Sequence, residues 1–172
     1  MTFSFSYVRS VGVLMALAAS AAQAQYEKKA WPASVPTPQI QMADLNDQPW
    51  NTTELKGKLV VLNFWATWCG PCKQELPSLQ ALSDASAGNP VVITVDVKES
   101  ASKVTSFIVG NRIRLPVVLD KSGELARQWG VRVFPTTVLI GADGQARWRI
   151  DGALDWNGPE ARAWIKSLKL DQ

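Results

Sequence analysis

Both cysteines of this 172-residue chain fall in one short motif, Trp68-Cys69-Gly70-Pro71-Cys72. Two thiols at that spacing can close into a disulfide and reopen by exchange. A thiolate attacks a disulfide sulfur, and the second thiol then resolves the mixed disulfide. Other uses of the pair are poorly supplied. A zinc knuckle would need further thiolate or imidazole ligands, and the chain has no histidine. Haem attachment would need a histidine at position 73, which is Lys73. A disulfide that closes so small a loop restrains little of the unfolded chain, because that benefit grows with loop length. Redox chemistry is therefore the leading reading. A binding module with an inert structural disulfide is the alternative.

The absence of histidine removes whole classes of function: Ser–His and Cys–His catalysis, and histidine-ligated zinc, copper or haem. No metal or cofactor is expected. A peroxidase of related chemistry would need a peroxidatic cysteine in a Pro-x-x-x-Thr-x-x-Cys setting, which the sequence lacks. The net charge of +3 comes from scattered basic residues and not from a basic face, so nucleic acid is not an expected partner. Apolar residues at 47% and charged residues at 19% are enough to fill one core and argue against a disordered tail.

The chemistry needs elements that hold the motif. Leu59 to Trp65 is an almost unbroken apolar run, as in a strand covered on both faces. A helix is expected to begin near Cys69, with Leu76, Leu79 and Leu82 at helical spacing and Pro77 predicting a kink. At a helix start, free N–H groups and the macrodipole stabilise a thiolate on Cys69, and Lys73 adds a positive charge. Cys72, one turn on, is expected to be the more buried and to resolve. Pro71 fits the first helical turn with its fixed φ and stiffens the loop. Further on, Val91 to Val97 reads as a second strand, 99–111 as a helix, Pro116 to Asp120 as a third strand and 121–129 as a short helix. Thr136 to Ile140 and Gln145 to Ile150 form a hairpin about Ala142-Asp143-Gly144. The last helix carries Ala161, Trp164, Ile165 and Leu168 at i, i+3, i+4 and i+7. This alternation predicts an α/β domain over 39–172, a mixed central sheet with helices on both faces. Residues 39–57 add a short N-terminal β-hairpin. Residues 25–38, with three prolines and two lysines, read as a linker.

The first 24 residues read as an address. Arg9 gives a short positive start, Val11 to Ala22 is apolar and uncharged, and Ala22-Gln23-Ala24 is a small-x-small cleavage site. The run falls short of the roughly 20 residues a membrane span takes. A cleaved signal peptide and periplasmic location are expected, with an uncleaved anchor as the alternative. That compartment permits disulfides.

Phe64-Trp65-Ala66-Thr67-Trp68-Cys69-Gly70-Pro71-Cys72-Lys73 resembles the thioredoxin-fold active site. The wider pattern resembles the TlpA/ResA-like family of exported thiol–disulfide oxidoreductases. It includes Leu55-Lys56-Gly57-Lys58, Glu75-Leu76-Pro77, Val131 to Ile140, Asp143-Gly144 and Leu154-Asp155-Trp156. The resemblance covers about residues 39–168. It implies a redox-active Cys69–Cys72 disulfide and a cis Pro135 among the catalytic positions. Trp68, Gly70, Pro71, Phe134 and Thr136 would form the substrate groove. Trp65 and Trp68 are the expected aromatic contacts with partners.

The resemblance also implies that Glu75 acts near the thiols. At i+3 from Cys72 it shares a helix face with it. A desolvated carboxyl there would have a raised pKa and could move the Cys72 proton. Asn63 stands where thioredoxin has a buried aspartate, so the role would pass to Glu75. Arg132-Val133-Phe134 lacks the Gly-Ala-Pro-Glu arrangement of the cytochrome-maturation branch named for CcmG. The implied activity is protein-disulfide exchange, with apocytochrome c, copper-site assembly proteins or other exported thiol proteins as clients. Electrons would come from a membrane thiol carrier, and the chain is expected to act as a monomer. The Gly70-Pro71 dipeptide is that of thioredoxin, whose potential is about −270 mV, and not that of strongly oxidising DsbA, about −120 mV. A reductant is therefore expected.

Overall fold

The computed structural model describes residues 26–170. The expected signal peptide, 1–24, lies outside the described residues. A six-stranded sheet is built from β1 (Tyr26–Ala30), β4 (Val60–Trp65), β5 (Val91–Val97), β6 (Val117–Asp120), β7 (Thr136–Ile140) and β8 (Ala146–Gly152), in the order β1-β8-β7-β4-β5-β6. The β4, β5 and β6 strands run parallel, whereas β7, β8 and β1 are antiparallel to their neighbours. The parallel pairs need crossovers, and α1 (Gly70–Ala85) and α2 (Ala101–Gly110) provide them. Two short strands, β2 (Gln41–Ala43) and β3 (Pro49–Asn51), form the expected added hairpin.

Every residue of β4 is buried because the sheet is covered on both sides. Alternation along the strand divides the core. Val61 and Trp65 join a cluster with Leu76 and Leu79 of α1, Val104 of α2, and Ala161, Ile165 and Leu168 of α4 (Pro159–Leu170). Val60, Leu62 and Phe64 face Leu125, Ala126 and Trp129, in and just after α3 (Glu124–Gln128), together with Ile40. Trp65, Trp129 and Trp156 are fully enclosed, and aromatic burial of this size dominates core energetics. Pro77 lies inside α1 on its exposed side, and the helix continues through it to Ala85.

The stretch 25–38 is not simply a linker. Tyr26 to Ala30 forms β1, paired with β8 from Tyr26↔Gly152 to Ala30↔Trp148. The Lys28 ammonium lies 3.7 Å from the Trp148 ring centroid, and Tyr26 meets Trp164 edge-on at 5.8 Å. Its charges suit an edge strand, whose outer side faces water, and that composition is what made it look like a linker.

Candidate active site

The chain passes from the C-terminal end of β4 through Ala66, Thr67 and Trp68 into α1, so the motif sits where strand gives way to helix. Cys69 is the N-cap of α1: its backbone is extended and its sulfur accepts the Cys72 N–H at 3.2 Å. Pro71, the second helical residue, has no N–H to leave unpaired. Cys69 and Cys72 are joined as a disulfide. The exposures are 5% for Cys69 and 1% for Cys72, so Cys72 is the more buried of two enclosed sulfurs. A negative charge forming on Cys69 is met by the first N–H groups of α1.

Trp68 is 63% exposed and Phe134 meets it edge-on, ring centroids 5.7 Å apart. That contact places Phe134 and its cis peptide bond to Pro135 beside the motif. Gly70 and Pro71 are exposed. Thr136 is not a groove residue. Its exposure is 0%, because β7 is an interior strand between β4 and β8. Its hydroxyl lies 2.9 Å from the Val133 carbonyl and from Asp151 Oδ1. Trp65 is likewise excluded from partner contact: it is 0% exposed and packs on Phe107.

Glu75 is buried on the same face of α1 as Cys72. Asn63 Nδ2 donates to its Oε2 at 3.0 Å. Its Oε1 accepts from the Leu154 N–H at 3.1 Å and from Trp156 Nε1 at 2.7 Å. Burial pushes the carboxyl up to about 7, with these three hydrogen bonds opposing it. A cavity of about 180 Å³ is lined by Glu75, Ser78 and Leu154 among others. Asn63 also donates to Thr137 Oγ1 at 2.9 Å and has no titrating proton of its own.

Sequence reasoning missed a second acidic cluster. Glu99 accepts from the Thr67 N–H at 2.5 Å and the Thr67 hydroxyl at 2.8 Å, anchoring the loop into Cys69. Burial pushes Glu99 up, but Lys103 at 2.5 Å and the Thr67 donors outweigh it and hold the carboxyl below its ordinary value. Asp96, in register with Trp65, is 0% exposed and hydrogen-bonds the Glu99 carboxyl through its own proton. Burial and the neighbouring Glu99 raise it to about 8, so it holds a proton at neutral pH. The only sequence signal was an aspartate inside the apolar run Val91–Val97. Among the described residues, no cluster of ligand side chains could hold a metal ion.

Residues 34–149 match the AhpC/TSA family model. The thiol-disulfide oxidoreductase ResA of Bacillus thuringiensis subsp. konkukian is 35% identical over 116 residues, 67% of each chain. The sporulation thiol-disulfide oxidoreductase A of Bacillus subtilis is 34% identical over 143 residues, 81% of this chain and 82% of that one. The crystal structure of the pneumococcal exposed lipoprotein thioredoxin from Streptococcus pneumoniae superposes with a TM-score of 0.67. It is 27% identical and covers 77% of this chain and 99% of that one. The redox pair at a helix start, the thioredoxin fold and these relatives agree: the chain belongs to the AhpC/TSA family, among its ResA-like thiol–disulfide oxidoreductases, and its reaction is dithiol–disulfide exchange.

Proposed function

We propose that the protein is a periplasmic reductase of disulfides in exported client proteins. The observation that carries this reading is the Cys69 sulfur at the N-cap of α1, held by the Cys72 N–H beside an exposed Trp68. The reduced Cys69 thiolate attacks a client disulfide, forms a mixed disulfide and releases one client sulfur as a thiolate. Cys72 gives its proton to Glu75 and attacks the Cys69 sulfur. The Cys69–Cys72 disulfide forms and the second client thiolate leaves, so the client gains two electrons and the chain loses two. A membrane thiol carrier restores the dithiol. Glu75 suits the proton step because a carboxyl near pKa 7 populates both forms at neutral pH.

The residues that line the contact are Trp68, Gly70, Pro71 and Phe134, with Pro135 behind them. The clients are exported thiol proteins, among them apocytochrome c and copper-site assembly proteins, and the chain acts as a monomer. Export is supported by Arg9, the apolar run to Ala22 and Ala22-Gln23-Ala24. Among the described residues, no helix is long and apolar enough to cross a membrane.

A redox titration against glutathione, followed by tryptophan fluorescence, tests the direction. A reductant titrates near thioredoxin's potential, about −270 mV. A value near about −120 mV would make the protein an oxidant. A disulfide that no thiol buffer reduces would make it structural.

A further inference from the structure

The segment Arg132-Val133-Phe134, which leads into Pro135, is a ridge between two cavities. One, of about 830 Å³, lies between this segment and the N-terminal arm, with Trp31, Val35, Trp129 and Val133 in its wall. The other, of about 430 Å³, is lined by Trp68, Lys98, Arg132 and Phe134 among others. Arg132 borders both.

The arm cavity is built and apolar. Trp31 Nε1 donates to the Val35 carbonyl at 2.9 Å, which folds the arm over, and Trp31 packs edge-on against Trp129 at 5.7 Å. Val35 and Val133 are 43% and 49% exposed, large apolar side chains left open to water. The cations around it are largely neutralised: Arg149 pairs with Asp151 at 2.7 Å and Lys29 with Glu27 at 2.7 Å. Arg132 alone keeps an unneutralised charge there, since it is exposed and joins no ion pair among the described residues. In the second cavity, Glu124 is taken up by Arg127 at 2.6 Å, whereas Lys98 and Arg132 are exposed and join no ion pair among the described residues.

The pattern has a size, a polarity and a charge. The larger cavity is within the range that encloses a sizeable group, and apolar walls favour an apolar one. Two exposed cations beside the smaller one favour a carboxylate. Both adjoin the segment that ends at the cis bond and at the Trp68 contact. One polypeptide crossing this ridge next to the disulfide would place side chains to either side of it. An extended segment suits this arrangement, because its successive side chains point to opposite sides.

We propose that these cavities are two side-chain subsites for an extended client segment: the Trp31 cavity takes a bulky apolar residue, and the Lys98/Arg132 cavity takes an acidic one. This rests on the reading of the protein as a reductase of client disulfides and adds the sequence preference of those clients. The chemistry is unchanged: Cys69 attacks the client sulfur and the leaving sulfur departs as a thiolate.

The test uses short peptides with one cysteine, activated as a thiopyridyl disulfide. Attack by reduced protein at the peptide sulfur forms the Cys69 mixed disulfide and expels thiopyridone, which absorbs. Phenylalanine and glutamate are placed on opposite sides of the cysteine in both orders, and the faster order is carried forward. Each peptide rate is divided by the rate of the same protein with dipyridyl disulfide, which has no side chains. The expected result is a loss of about tenfold when phenylalanine becomes alanine, and about threefold when glutamate becomes lysine. Arg132→Glu should reverse the preference between glutamate and lysine. Trp31→Ala should erase the phenylalanine preference. Val35→Ser, an exposed change, should reduce it without touching the core. Equal ratios for all peptides, or an unchanged glutamate preference in Arg132→Glu, would overturn the proposal while exchange with dipyridyl disulfide proceeds. Failure to react even with dipyridyl disulfide would overturn the reductase reading itself.

Discussion

Trp156 Nε1 donates a 2.7 Å hydrogen bond to Glu75 Oε1, joining two residues 81 positions apart. The Leu154 N–H donates to the same oxygen, and Ser78 Oγ accepts the Trp156 N–H at 3.0 Å. The segment after β8 is thereby fastened to the redox helix through a carboxyl that burial keeps near pKa 7. A group with such a pKa makes stability depend on pH.

Glu75→Gln is expected to change thiol chemistry. A carboxylate on the Cys72 face disfavours a second negative charge there, so its removal should lower the pH at which the resolving thiol is alkylated. Losing the proton acceptor should slow resolution of a mixed disulfide by about tenfold or more. If thiol and carboxyl are coupled, the wild-type alkylation curve for the resolving thiol should show two apparent values and the variant one. The check is alkylation rate against pH in the reduced proteins, with superimposable curves as the contrary result.

The same residue sets a stability profile in the oxidised protein. Its folded pKa, about 7, lies above the ordinary 4.5. The protonated form is therefore favoured by folding, and that stability is complete below pH 4.5 and is lost as pH rises through 7. The loss amounts to roughly 3 kcal/mol by linkage. Denaturant midpoints across this window should fall for the wild type and stay flatter for Glu75→Gln.

Asp96 gives a parallel effect that extends to higher pH. Its carboxyl is raised to about 8 by burial and by Glu99, so its stabilising proton is lost as pH rises through 8. Asp96→Asn should remove that loss, which runs between pH 3.8 and about 8, while keeping the shape of the side chain. Glu99→Gln is different, because it weakens the anchor on Thr67. A cost of about 1–3 kcal/mol at neutral pH is expected from a buried charged hydrogen-bond acceptor. Equilibrium unfolding of both variants separates the two roles.

Trp68→Ala should separate client contact from stability. With 63% of the side chain exposed, its removal should shift stability by under about 1 kcal/mol. The edge-on contact with Phe134 and the apolar surface offered to a client are lost together. kcat/KM for a protein disulfide should drop several-fold more than for a small disulfide. An equal effect on both would mean that the ring supports the motif and not the client.

The local parts of this molecule were legible in sequence. Val91–Val97 forms a strand with the expected bounds, and Cys69 caps the helix that its position predicted. The unbroken run Leu59 to Trp65 gave the central strand, but such a run carries no parity. It could not show that Trp65 points into the core, nor that Thr136 of the equally enclosed β7 does the same. β1 was hidden because three of its five residues are charged and its stability comes from pairing with β8, over a hundred residues away. The environment of Glu75 depends on Asn63, Leu154 and Trp156, and the anchor of Thr67 on Glu99. None of these pairs lies within one turn of helix or one hairpin, so only the tertiary fold brings them together.

The division of labour between the two sulfurs is tested most directly by trapping. Reduced Cys72→Ser and Cys69→Ser proteins are each mixed with a disulfide-bonded client, quenched with an alkylating agent and analysed by non-reducing gel and peptide mass mapping. The position of Cys69 at the helix cap predicts a stable mixed disulfide through Cys69 in Cys72→Ser and almost none in Cys69→Ser. Trapping through Cys72 in Cys69→Ser, with little in the other variant, would contradict it.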